Sequence, residues 1–351
     1  MTQHTKLRIA VNGYGVIGKR VADAVHQQID MTLSGVADIG TDWRPRIATH
    51  KDFDLFGATP DAVQAMRAAG MQVTGTLDDL LEVSDLVVDC TPKHVASGNV
   101  DLYRQRGLKF ILHGGEKHDV TGHSFVAEAN FASALDRDCT RVVSCNTTAT
   151  VRTLSALKRA GLLRRARGTL LRRATDTWES HLGGIMNTLV PEPEIPSHQG
   201  PDARTVDPDL DVITMAVKVP ETLAHLHYWA VQLTRPASKD EVLAAFRTSS
   251  RIALIGHDAG LTAINAVKEF AADLGRPHDN LYEVALWADM LKVEGDELFY
   301  AYMVDNQAIV IPETIDAIRA LTGSIRDFRD SIERTDAALG IGIMSRVIGP
   351  A

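Results

Sequence analysis

Leu7–Lys19 reads LRIAVNGYGVIGK, and its three glycines decide the fold. Leu7-Arg8-Ile9-Ala10-Val11 is a short apolar strand, and Val16 to Gln28 has helical spacing. Between them, Gly13, Gly15 and Gly18 make a G-x-G-x-x-G turn. Gly13 permits the tight turn, Gly15 lets backbone approach a pyrophosphate, and Gly18 lets the helix sit against the strand. The helix that opens at Val16 and Ile17 offers free N–H groups and a partial positive charge to the phosphates.

Working outward, the alternation continues. Thr32–Ala37, Asp85–Cys90 and Lys109–Leu112 read as strands, with helical stretches around 62–69 and 95–106 between them. Strands alternating with helices imply a parallel sheet covered on both faces. Asp38 follows Gly18 by 20 residues, 38 − 18, at the end of the second strand. An acidic side chain there accepts hydrogen bonds from an adenine ribose and repels a 2′-phosphate, so NAD is expected in preference to NADP. Thr91 and Gly115 end the next two strands, at the edge where open sheets bind ligands.

Near residue 140 the pattern changes. Val212–Val219 and His225–Leu233 alternate like strands of a mixed or antiparallel sheet, separated by Pro/Gly-rich connections such as 190–201. Helices are expected at 150–160, 239–248 and 261–274, and from 312 to 338 with an interruption around Gly323. The fold class is therefore α/β, a Rossmann-type doubly wound parallel sheet plus an α+β catalytic domain. Three segments are expected: 1–144 for a dinucleotide, 145–308 for catalysis, and a helical 309–351 packing back on the first.

The chain has 351 residues and a formal net charge of −8, which argues against a nucleic-acid or anionic-membrane partner. No apolar signal core opens the sequence and no stretch approaches the ~18 apolar residues of a membrane span. Cys90, Cys139 and Cys145 are the only cysteines, without framework or metal-ligand spacing. A cytoplasmic location and no metal are expected.

Arg141–Thr148, RVVSCNTT, is the most informative segment for chemistry. A strand runs into Ser144 and Cys145, and Asn146-Thr147-Thr148 opens a helix. A cysteine at a helix N-terminus gains thiolate character from the dipole and free N–H groups. The same N–H groups, with Asn146, can hold an oxyanion on a carbonyl attacked by sulfur. Cys90 and Cys139 lack this setting. A covalent cysteine beside a nicotinamide points to aldehyde oxidation through a thioester, released by phosphate or water.

His225 and His227 sit two apart in a strand and share a face, so either suits the base. Arg172 and Arg173 follow a strand-like run and face opposite sides, one for an anion and the other for structure. His198-Gln199-Gly200 is a polar loop that binds an anion or simply turns.

Together these segments resemble the archaeal-type (type II) glyceraldehyde-3-phosphate dehydrogenases along nearly the whole chain. The matching runs are VNGYGVIGKRVADAV, LVVDCTP, GGEKHD, TRVVSCNTT, PSHQGPD, ITMAVKVPETLAHLH, DLGRPHDNLYE and VIPETIDAIRA. The resemblance implies a homotetramer that oxidises an aldehyde with NAD(P) and inorganic phosphate, glyceraldehyde 3-phosphate being the named substrate. It implies Cys145 as nucleophile, His225 as base, and Asn146 as their aid. Gly115, Arg173 and Asn306 are implied on the cofactor side, with Ser144, Thr147, Arg172, His198, Gln199 and Gly200 on the substrate side. Three places depart from the family. Gln199 replaces a histidine, Ser180–Asn187 lacks a lysine, and Asp305-Asn306-Gln307-Ala308 replaces a His-Gln-Glu-Ser run. Two alternatives stay open: the same chemistry on another small phosphorylated or acidic aldehyde, and an NAD-binding regulator without turnover.

Overall fold

The computed structural model describes residues 6–113, 115–175 and 189–349, so the departure at Ser180–Asn187 lies outside the described residues. The chain divides into two compact units. One runs to Val143 and takes in Ile311–Leu339; the other is Ser144–Val310 with the chain from Gly340 onward.

The first unit holds β1 (Leu7–Asn12), β2 (Met31–Asp38), β3 (Leu55–Gly57), β4 (Gly75–Thr76), β5 (Leu86–Asp89), β6 (Lys109–Leu112), β7 (Ser124–Phe125) and β8 (Cys139–Val142). Their order is β4-β3-β2-β1-β5-β6-β8-β7 and every pairing is parallel. Ile9, Ala10 and Val11, Val87 and Val88, and Phe110 and Ile111 are all fully buried. Strands apolar on both faces need helices on both faces, which is why this sheet is parallel and covered. The strand order reverses between β1 and β5, and open α/β sheets bind ligands at such a reversal, here past Asn12 and Asp89. Ile311–Leu339 is tied in by Arg319, which is fully buried and donates to Asp30 at 2.9 Å and Gln28 at 2.8 Å. Gly323, at φ +65°, interrupts the helical run as expected.

The second unit holds β9 (Leu163–Arg173), β10 (Val190–Pro191), β11 (Val212–Val219), β12 (His225–Leu233), β13 (Ile252–Ile255), β14 (Val284–Trp287), β15 (Lys292–Glu294) and β16 (Glu297–Val304). The order is β10-β11-β9-β12-β16-β14-β13, with β15 on β16. β9–β11 and β13–β14 are parallel and the remaining pairs antiparallel, so the sheet is mixed. Along β12 burial alternates: His225, His227 and Trp229 point inward while Tyr228 is exposed. Helix Cys145–Arg159 is held in this unit by fully buried Arg152, which donates to the Tyr282 carbonyl at 2.7 Å and the Ile309 carbonyl at 3.0 Å.

Two expected bounds are corrected. The helix expected at 150–160 begins at Cys145, where the RVVSCNTT segment puts a helix N-terminus, because Ser144 caps it. The tail expected to pack back as one piece divides at Gly340. Gly340 and Gly342 take φ of +67° and +83° and redirect the chain. The Gly340 carbonyl then accepts from Arg276, Gly342 N–H donates to Glu283, and Met344 is buried with Ala253 and Ile255 of the second unit. Among the described residues, no helix is long and apolar enough to cross a membrane.

Candidate active site

In the first unit each glycine of the opening turn has its own reason. Gly13 has φ +90°, and a Cβ there would meet the Thr91 nitrogen at 2.8 Å. A Cβ on Gly18 would collide with the Gly13 carbonyl oxygen, so helix and turn pack only without a side chain. Gly15 is different: a Cβ would meet nothing within 4 Å, and the residue caps helix Val16–His26 without any side-chain hydrogen bond. The first N–H groups of that helix, past half-buried Val16 and Ile17, are thus left for an outside acceptor. Gly115, at φ +78°, also has open space where a Cβ would be.

Asp38 is more occupied than its sequence position implied. Its carboxylate accepts backbone N–H groups of Tyr14, Ile39 and Gly40, each at 2.8 Å. A carboxylate has about four acceptor positions, so roughly one is left for a ribose hydroxyl. Thr91 is turned inward: its N–H and hydroxyl both donate to Asp89, at 2.9 and 2.5 Å. Desolvation, with Asp89 beside it, pushes the Cys90 thiol well up, and Cys139 is buried. Neither sulfur has the setting of a nucleophile.

In the second unit Cys145 is the first residue of its helix. Ser144 accepts the Thr147 N–H at 3.3 Å, the two hydroxyls lie 2.9 Å apart, and the Thr147 hydroxyl donates to Asp202 at 2.8 Å. Ser144 and Thr147 therefore spend their polar groups closing the helix start, whereas the resemblance had placed them on substrate. Gly200 likewise donates its N–H to the Thr214 hydroxyl at 2.9 Å.

The Cys145 sulfur lies 3.4 Å from His225 Nε2. The Arg173 N–H donates to His225 Nδ1 at 3.0 Å. A neutral imidazole carries one proton, so this bond places it on Nε2, facing the sulfur. Desolvation holds His225 well below the usual imidazole range, with His227, Arg173 and Arg172 adding to the effect. The ring is neutral near pH 7. For Nε2 to accept a proton, the ring must shift its own to Nδ1 and release the Arg173 N–H.

The expected low-pKa thiolate is corrected. Desolvation pushes the Cys145 thiol up to about 11. Arg173, the Asn146 N–H and Arg172 all lower it, and Asp305 raises it, but loss of water outweighs the three that lower it. The resting sulfur is protonated at neutral pH.

The other groups divide clearly. Asn146 is buried, and its Oδ1 lies 2.8 Å from His227 Nε2. The Arg173 side chain donates to the Thr175 carbonyl at 2.9 Å. Arg172 pairs with Glu192, whose other oxygen lies 3.4 Å from His198 Nδ1. Arg172 Nε, both amide atoms of fully buried Gln199, and Asn306 Nδ2 are buried without a hydrogen-bond partner among the described residues. Such atoms mark places where a ligand or water completes the bonding.

Two participants were not legible in the sequence. Glu192 sits in a proline-rich connection that reads only as a turn. Tyr302 lies on β16, and only the three-dimensional pairing brings it to His227. Asp305 is buried; burial opposes its charge, but Lys268 at 2.6 Å and backbone N–H groups hold its carboxyl below the usual range.

Residues 144–287 match the family described as glyceraldehyde 3-phosphate dehydrogenase, C-terminal domain. Residues 7–114 match dihydrodipicolinate reductase, N-terminus. The chain is 42% identical over 338 residues to glyceraldehyde-3-phosphate dehydrogenase of Methanococcoides burtonii, covering 96% of this chain and 100% of that protein. It is 39% identical over 334 residues to the protein of that name from Methanothermus fervidus, covering 95% and 98%. The relative from Haloarcula marismortui is 42% identical over 336 residues, covering 96% and 94%.

Proposed function

This chain belongs to the glyceraldehyde-3-phosphate dehydrogenase family, and from that membership we propose that it oxidises glyceraldehyde 3-phosphate to 1,3-bisphosphoglycerate with a nicotinamide cofactor and inorganic phosphate. The observation that carries the reading is the sulfur of Cys145 at a helix start, 3.4 Å from His225 Nε2.

The first unit suits a dinucleotide: a turn that only glycine fits at Gly13 and Gly18, and open space with an uncapped helix start at Gly15. When bound, the cofactor supplies the acceptor for the aldehyde hydrogen as hydride. Asn306 Nδ2 is the donor a carboxamide oxygen would take. We assign NAD as the preferred form, because the Asp38 charge at the end of β2 opposes a 2′-phosphate. Equal or better kcat/KM with NADP would remove that assignment.

The chain's own steps follow from its groups. The Cys145 sulfur gives up its proton and adds to the aldehyde carbon, so the carbonyl oxygen gains charge. The Asn146 N–H, which the Ser144 cap does not take, and the Asn146 side-chain amide receive that charge. The adduct takes up the proton the sulfur gave up, as a hydroxyl. Its loss to His225 Nε2, once the ring's own proton has moved to Nδ1 and released the Arg173 N–H, accompanies hydride departure and leaves a thioester on Cys145. Phosphate oxygen attacks the thioester carbon, and the sulfur leaves to recover its proton. Arg172 and Gln199 supply donors for phosphate groups.

A panel of aldehydes with NAD, with and without phosphate, tests the substrate. Phosphate-dependent turnover of glyceraldehyde 3-phosphate is expected; turnover of another aldehyde alone would displace it. One observation favours that second reading, since Glu192 already neutralises Arg172. Glu192→Gln then lowers KM for phosphorylated aldehydes several-fold and leaves a neutral aldehyde unaffected.

A cytoplasmic homotetramer is part of the proposal. Thr169 pairs with both Met215 and Tyr228, and Ala230 with Phe299, so Met215, Tyr228 and Phe299 share one sheet face. They are 43%, 44% and 37% exposed, an apolar surface that a subunit contact covers. Light scattering at four chain masses supports it, and a monomer refutes it.

A further inference from the structure

The amide of Asn146 has two ends of opposite character: Oδ1 accepts and Nδ2 donates. Which end faces the reacting carbonyl decides whether this residue stabilises or repels a developing oxyanion. The sequence adjacent to Cys145 does not settle that choice. The second unit's core does.

Four buried groups form a line. The Trp229 indole N–H donates to the Tyr302 hydroxyl oxygen at 2.9 Å. That hydroxyl lies 3.0 Å from His227 Nδ1, and His227 Nε2 lies 2.8 Å from Asn146 Oδ1. Trp229 and Tyr302 are 2% and 0% exposed, and His227 is 0%, so water does not compete. The direction of the line follows from chemistry. An indole nitrogen only donates and an amide oxygen only accepts. Burial and Arg172 hold His227 at a pKa of about 3, so its ring is neutral and carries one proton. Asn146 Oδ1 needs that proton on Nε2. Nδ1 is then an acceptor, and the Tyr302 hydroxyl proton goes to it.

We propose that Trp229, Tyr302 and His227 are positioning residues that pin Asn146 Oδ1 inward, so that the Nδ2 amino group is the end offered beside Cys145. The inference rests on Cys145 attacking a carbonyl, as proposed above. His225 and His227, two apart on β12, thus divide the work: one faces the sulfur, the other fixes the neighbour's amide. Tyr302 acts at a distance, because without its proton His227 has no reason to keep its own on Nε2. The ring is then free to take the other tautomer, accept from Asn146 Nδ2, and turn Oδ1 toward the carbonyl. The ring contacts of His227 with Tyr302 and Trp229, at 5.0 and 6.4 Å between centroids, hold the imidazole plane and leave only the proton to choose.

The test uses the full-length enzyme and six substitutions. Tyr302→Phe removes one oxygen and keeps the ring. It lowers kcat by about tenfold to a hundredfold, short of the ~10²–10³ for outright loss of an oxyanion donor. KM for the aldehyde and Kd for the cofactor stay within about twofold. His227→Gln, whose amide can still donate to Oδ1, keeps more of kcat than His227→Leu. Asn146→Asp, which offers a charged oxygen in place of the amino group, falls below Asn146→Ala. In the unsubstituted enzyme, nitrogen-15 NMR of labelled histidine reads the Nε2–H tautomer for His227. Wild-type kcat in Tyr302→Phe and His227→Leu, an Nδ1–H tautomer for His227, or an Asn146→Asp enzyme at least as fast as Asn146→Ala each overturns the proposal. Cys145→Ser run in parallel separates the two layers. If it is inactive while the relay variants are normal, only the relay falls; if it is fully active, the covalent reading and this inference fall together.

Discussion

Helix Val16–His26 begins on Gly15 with no side-chain cap, while helix Cys145–Arg159 begins on Ser144, whose hydroxyl accepts the Thr147 N–H. Both follow a strand of the first sheet, β1 in one case and β8 in the other. The difference lies in how each finishes its free N–H groups. The first start is bare and open, so a ligand must complete it. The second is closed by Ser144, Thr147 and Asp202, so the side chain of Cys145 is held in place before any ligand arrives. One start is built to bind an anion through backbone. The other is built to aim one atom.

Several substitutions break or sharpen this contrast. The largest effect is at the closed start. Cys145→Ser lowers kcat by ~10⁴-fold or more, while cofactor affinity measured by fluorescence titration stays unchanged, since the bare start is untouched. At the bare start the glycines separate. Gly18→Ala forces a Cβ into the Gly13 carbonyl; the expected cost is about 1–3 kcal/mol in thermal or denaturant unfolding, with weaker cofactor binding. Gly15→Ala meets open space, so stability changes by less than about 1 kcal/mol while cofactor Kd rises about tenfold or more. Loss of stability without loss of affinity at Gly15 would reverse the assignment.

A pH series tests the desolvated sulfur. With the Cys145 thiol at about 11, its ionised fraction is small at neutral pH and grows tenfold per pH unit below that value. Iodoacetamide labelling of the cofactor-free enzyme should climb steadily from pH 7 to 10. A plateau between pH 6 and 8 would mean the helix terminus and arginines win over burial. The smallest effect is at the cap: Ser144→Ala costs about 0.5–2 kcal/mol of stability and reduces kcat only modestly.

The same contrast explains what the sequence disclosed. The bare start is written in glycine, and glycine states a backbone requirement at its own position, so Gly13, Gly15 and Gly18 were legible. The strand-then-helix run at Arg141–Thr148 likewise exposed Cys145, because it is local. The register that joins β10, β11, β9, β12 and β16 is not local. Without it nothing connects Tyr302 to His227, or Glu192 to Arg172, and Arg172 reads as a free cation. The thiol misled for a related reason: a helix N-terminus can be seen in sequence, but the dryness of its surroundings cannot. The tail divided at Gly340 because two left-handed glycines redirect it, and glycine there also reads as an ordinary helix end.

The central claim is that Cys145 carries the acyl group. Enzyme mixed with glyceraldehyde 3-phosphate and NAD in phosphate-free buffer, quenched in acid and analysed by peptide mass spectrometry, tests it directly. A 3-phosphoglyceroyl thioester is expected on the peptide containing Cys145, discharged when phosphate is added before the quench. NADH formation with no acyl group on that cysteine, or with the group on Cys90 or Cys139, would contradict it.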